Sequence, residues 1–68
     1  MKIIAAITNL DTQETLATTE FEGQGSLDAN WEHLVAWAKS EGHTVTRRFG
    51  KTLSGKCADG VLINSDRA

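Results

Sequence analysis

"SLDANWEHLVAWAKSEGH", residues 26–43, is the stretch that decides the fold. At about 100° per residue, Leu27, Trp31, Leu34, Val35 and Ala38 fall on one stripe, with Asp28, Glu32 and Lys39 on the outer side. That is the pattern of a helix with one face against a core. Ser26 stands where a hydroxyl caps the first turn, and Asp28 puts negative charge where the helix dipole favours it. Gly42 takes the left-handed conformation that ends a helix at no steric cost. A helix over 27–41 follows. Trp37 falls at the border of its buried face, His33 on its outer side, and His43 beside the stop, where positive charge suits the dipole.

On the N-terminal side, "KIIAAITNL" (2–10) and "ETLATTEFE" (14–22) read as strands, joined by the short polar step Asp11, Thr12 and Gln13 into a hairpin. "GQG" (23–25) then breaks the chain. Beyond the helix, "HTVTRRF" (43–49) reads as a third strand and "GVLIN" (60–64), introduced by Asp59-Gly60, as a fourth. The intervening "GKTLSGKCA" is either an extended arm or another short strand. The expected order is ββαββ, one α+β domain with an antiparallel sheet and a helix on one face. Strand 2–10 is apolar on both sides: Ile3, Ala5 and Ile7 point one way, Ile4, Ala6 and Leu10 the other. A helix of this length spans roughly 22 Å and covers one side of a sheet. The second side is then covered by the 50–59 segment, or meets another molecule, or carries Ile4 and Leu10 as scattered surface residues.

A chain of 68 residues buries only about 60% of its unfolded surface, so a compact core or a partner must hold it. With 40% hydrophobic and 24% charged residues, disorder is not expected. One cysteine, Cys57, excludes an internal disulfide framework and suits a reducing compartment such as the cytoplasm. The opening "MKIIAAITNL" turns polar at Thr8 and Asn9, too early for a signal-peptide core and too short to span a bilayer. A soluble, untargeted protein without a membrane partner is the expectation. The net charge of −2 hides a split: residues 1–45 carry two basic against seven acidic side chains, residues 46–68 five against two. Such asymmetry suggests a charged interaction surface.

The stretch "TRRFGKTLSGKCADG" (46–60) invites chemistry and fails most of it. "GKT" at 50–52 lacks the glycine that a phosphate loop needs at position 45, and "GKC" at 55–57 has Cys57 where that loop needs Ser or Thr. Neither runs into a helix, whose N-terminus supplies much of the anion binding. His33, His43 and Cys57 are the only soft ligands and lack the paired spacing of a zinc site, so no metal and no cofactor is expected. Nucleophilic catalysis would rest on Cys57 with His43, with no acid partner or oxyanion element beside them. A lone Cys is more often a small buried hydrophobe, and an enzyme is not expected.

The charged residues then carry the functional reading. Arg47 and Arg48 are adjacent on a strand and project to opposite faces. Arg47 shares the parity of Val45 and Phe49, which places it toward the core side, snorkelling or paired with a carboxylate. Arg48, with Lys51 and Lys56, is the freer set. Nucleic-acid binding through residues 47–56 is the alternative use, opposed by an isoelectric point near 5.5 and by Phe21 and Phe49 being expected in the core. The favoured use is protein contact, drawing on Trp37, Arg47, Arg48, Lys51 and Lys56 or on an acidic set including Glu20, Glu22 and Glu32.

The hairpin followed by "SLDANWEHLVAWAKSEGHTVTRR", a helix running straight into a basic strand, resembles very small phage proteins that disable host machinery. Among these are an inhibitor of bacterial RNA polymerase and some anti-CRISPR proteins. The likeness covers about residues 14–49 and rests on topology, length and the Thr-Arg strand. It implies action in the host cytoplasm by stoichiometric binding to a host protein or ribonucleoprotein complex. A homodimer through the open sheet face is a further expectation.

Overall fold

The computed structural model describes residues 1–67, and for Arg67 the backbone alone. The helix forms where its stripe and its caps require. Helix α1 runs Leu27–Ser40, and the Ser26 hydroxyl accepts from the Ala29 amide at 3.1 Å. At its end the amide of Gly42 (φ +89°) donates to Lys39 O and that of His43 to Ala38 O, at 3.0 and 2.9 Å. Those two bonds make a Schellman stop, which needs the positive φ that glycine supplies.

Five strands build one antiparallel sheet: β1 (Lys2–Asn9), β2 (Glu14–Glu22), β3 (Val45–Arg48), β4 (Gly55–Cys57) and β5 (Leu62–Arg67). Their lateral order is β2-β1-β5-β4-β3, so β2 and β3 are the edges. The fold is α+β, as expected, but the element order is ββαβββ rather than ββαββ. The undecided 50–59 segment folds partly as strand β4, paired on both sides. It extends the sheet instead of covering its second face. The last strand lies two residues later than "GVLIN", because Gly60 (φ +88°) is spent on a tight turn in which the Cys57 amide donates to Val61 O. Leu10 also leaves its expected strand. It falls in the β1–β2 turn, where Asn9 Oδ1 accepts from the amides of Asp11 and Thr12 at 2.9 and 3.4 Å. Asn favours turns through this side-chain bond to its own backbone.

The core lies between α1 and one sheet face. Ile3, Ala5 and Ile7 from β1, Cys57 from β4, Val61 and Ile63 beside and on β5, and Leu34 and Ala38 from the helix are all buried. Each fully buried Ile or Leu contributes about 1.5–3 kcal/mol. Gly55 lets the helix approach β4: a Cβ there would collide with the Trp31 ring and with the Arg47 carbonyl. Asn30 is 3% exposed and fixes the entry to the helix. Its Oδ1 accepts from the Gln24 amide at 2.5 Å and its Nδ2 donates to Gln24 O at 3.5 Å. Leu27, expected in the core, is exposed and lines an open depression with Leu53 and Ser65.

Candidate interaction surface

Side-chain alternation and register define what the opposite sheet face carries. One cross-strand row runs Glu20, Ile4, Asp66, and the next Thr18, Ala6, Asn64. The third runs Thr8, Leu62, Lys56, Arg47. Leu16 is the extra residue of a bulge opposite Ile7 and Thr8 and joins this face. Among the described residues no helix or strand packs over it. Ile4 is 43% and Leu16 44% exposed, and a shallow depression of about 240 Å³ lies along Ile4, Ala6, Asn64 and Asp66. The face is acidic at the Ile4 row, apolar and small in the middle, and basic at the β3 border.

A second bulge decides which arginine belongs to that border. Val45 pairs with Cys57, but Arg47 pairs with Lys56, so Thr46 is the extra residue and the alternation shifts by one. Arg47 therefore lies on the open face and Arg48 on the helix side, the reverse of what simple parity predicts. Arg48 Nη1 donates to Asp28 Oδ1 at 3.0 Å, Nε donates to Thr52 O at 2.9 Å, and the guanidinium sits 5.2 Å from the Trp31 ring centre. Its Nη2 is buried without a hydrogen-bond partner, and 21% of the side chain is exposed. Arg48 is thus a brace between helix and hairpin, not a free cation. Phe49, expected in the core, is 37% exposed, with the Arg47 guanidinium 5.9 Å from its ring centre.

The other candidates divide similarly. Lys51 and Lys56 are exposed, Lys51 in the β3–β4 loop and Lys56 on the open face. Trp37 is half-buried and packs against the core cluster around Ile7, Ala38 and Ile63, so it acts in packing. Glu20 is held by Lys2 at 3.5 Å, and Glu22 by the N-terminal ammonium, whose hydrogen bond keeps the Glu22 carboxyl below its ordinary pKa. Glu32 is exposed on the helix, facing away from the sheet. The charged candidates do not form one patch: the acids lie along β2 and the helix, the cations on the opposite border.

Two residues singled out for chemistry are committed elsewhere. Cys57 is 1% exposed, and burial pushes its thiol pKa up, with the Asp59 charge acting in the same direction. Thiolate nucleophiles need the opposite shift. His43 Nδ1 bonds Asp59 Oδ2 at 2.8 Å, which lowers the Asp59 pKa. His33, expected on the outer side of the helix, is exposed but reaches the sheet: its ring stacks on Phe21 of β2, with centroids 4.0 Å apart and planes at 23°. Among the described residues, no group of three His, Cys, Asp or Glu gathers in metal-binding range. No described helix is long and apolar enough to cross a membrane.

Sequence reading missed Asn30, which lies four residues before Leu34 and eight before Ala38 and so shares their face. That spacing was the available signal; the polar side chain masked it. No protein-family model, curated protein or solved structure matches the chain. Fold and surface together define a small α+β domain with one covered and one open sheet face.

Proposed function

We propose that the chain is a non-enzymatic binding protein whose contact surface is the open face of the sheet with its basic border. Its action is stoichiometric engagement of a larger protein or ribonucleoprotein assembly, as an inhibitor or regulator of the kind small phage proteins supply. The single observation carrying this reading is that Ile4, Leu16 and Leu62 share a face over which no described element packs. Exposed apolar surface rimmed by charge is typical of interaction sites. The buried Cys57 thiol and the Asp59-bound His43 support binding over catalysis.

A second reading, nucleic-acid binding, is favoured by one finding: Phe49 is exposed beside Arg47 instead of buried. An aromatic ring and cations together form a stacking and phosphate-contacting element.

One experiment addresses both. The immobilised chain and an Ile4→Lys, Leu16→Lys variant are offered to bacterial lysate, with and without nuclease, and bound proteins are identified by mass spectrometry. Ile4 lies between Glu20 and Asp66 in register, so a lysine there gains cross-strand partners and the fold is kept. Binding predicts a defined protein retained by the wild type and lost with the variant, irrespective of nuclease. Equal capture by both proteins contradicts the open face as the site. Loss on nuclease treatment transfers the function to nucleic acid.

A further inference from the structure

We infer that the β3 edge, with Arg47 and Lys56, is a docking site for an acidic, extended polypeptide segment that adds to the sheet as a sixth strand. The inference rests on the binding reading above and names the chemistry of the partner at one border of that surface.

Cross-strand pairing supplies the first observation. Arg47 and Lys56 are direct register partners on the open face, and like charges directly opposite one another are destabilising in a sheet. Among the described residues no carboxylate pairs with either of them, and Arg47 has only the Phe49 ring beside it. The ion pairs among the described residues join the N-terminus to Glu22, Lys2 to Glu20, His43 to Asp59 and Arg48 to Asp28, leaving Arg47 and Lys56 without one. Lys2 and Arg48 each have a carboxylate partner, whereas Arg47 and Lys56 face one another in register. A carboxylate placed between Arg47 and Lys56 would remove their repulsion.

The edge supplies the second. Strand β3 pairs on one side only, with β4, so half its backbone N–H and C=O groups point outward, the template on which strand addition works. Two edges are available, and they differ in charge. The β2 edge is nine residues long and carries Glu14, Glu20 and Glu22, which repel an acidic strand. The β3 edge carries Arg47 with Lys56 behind it, so charge selects the edge. Because side chains alternate, the segment that fits has acids at every second position, on the Arg47 side, with apolar residues between them on the Val45 side.

A polynucleotide uses the cations but not the outward amides in register. It must also lie near Asp28, the carboxylate bound to Arg48, on a chain of net charge −2, which penalises any polyanion longer than the corner.

The test is a ¹⁵N NMR titration of the full chain with acetyl-Glu-Val-Glu-Val-Glu-Val-amide. Acetyl-Lys-Val-Lys-Val-Lys-Val-amide and an eight-nucleotide oligo-dT form the other arms. Strand addition predicts saturable shifts at 45–48 with the acidic peptide alone, and slowed exchange of outward-facing β3 amides. The Arg47→Met, Lys56→Met variant should weaken binding about tenfold. Absence of saturable shifts at β3 overturns the proposal, as do shifts without slowed exchange, or binding by oligo-dT only. Failure here is separable from failure of the broader reading. A lysate protein lost with Ile4→Lys, Leu16→Lys yet kept with Arg47→Met, Lys56→Met leaves open-face contact standing and removes strand addition.

Discussion

The two faces of the sheet are built from the same strands and do different work. On the covered face Ile3, Ile7, Leu34 and Ile63 are each 1% exposed or less, and hydrophobic burial there holds a chain too short for a second core. On the other face Ile4 and Leu16 leave more than 40% of their surface in water. They bury less apolar surface than the core residues and should contribute less to folding. Position on strand β1 shows the contrast over a single peptide bond: Ile3 lies inside, Ile4 outside.

The comparison breaks most visibly at Leu34. Truncation to Ala should cost about 2–5 kcal/mol, a large fraction of what so small a domain can hold, read by urea unfolding. If Leu34→Ala were near neutral, the core would lie elsewhere. Gly55→Ala should follow at about 1–3 kcal/mol, because the new Cβ forces the Trp31 ring away from β4. Gly25→Ala, with nothing near the added carbon, is its control and should be much milder.

The arginines sharpen the contrast further. Arg48→Met should destabilise by about 1 kcal/mol through loss of the Trp31, Asp28 and Thr52 contacts. Arg47→Met should be neutral or stabilising by about 0.2–1 kcal/mol, since it relieves repulsion from Lys56. A reversed order in chemical denaturation would place the bulge at Thr46 wrongly. The smallest effect is that of pH. Asp59 has its pKa lowered by the His43 hydrogen bond, so the stabilisation is present above the ordinary carboxylate range and lost as pH falls through the lowered folded value. Between neutrality and strong acid, the wild type should lose more stability than Asp59→Asn, measured by unfolding at fixed pH steps. Parallel curves for the two proteins would show that the pair contributes nothing.

The helix, its Ser26 cap, its Gly42 stop and the first hairpin were legible because each rests on local chemistry that residue type announces. The α+β class followed from them. Register was not legible. Bulges at Leu16 and Thr46 arise from how neighbouring strands pair, and the second exchanged the roles of Arg47 and Arg48 and, with the chain's turn, brought Phe49 into solvent. Strand β4 is only three residues long, too short for alternation to declare it. Asn30 hid because its value lies in a bond to Gln24, which composition cannot reveal. The double-sided apolarity of β1 raised the question of the second face but left its cover by the 50–59 segment open. Only the pairing of β4 within the sheet decided against that cover. The charge pattern of this face, acidic at one border and basic at the other, required the strand order.

Denaturant unfolding of an Ile4→Thr, Leu16→Thr variant beside the wild type, over a wide range of protein concentration, tests the division between the faces most directly. Threonine keeps the β preference while removing apolar surface. A change within about 0.5 kcal/mol and a midpoint independent of concentration are predicted. A loss comparable to that of Leu34→Ala, or a wild-type midpoint that rises with concentration, would mean that the second face is already buried and is not free for a partner.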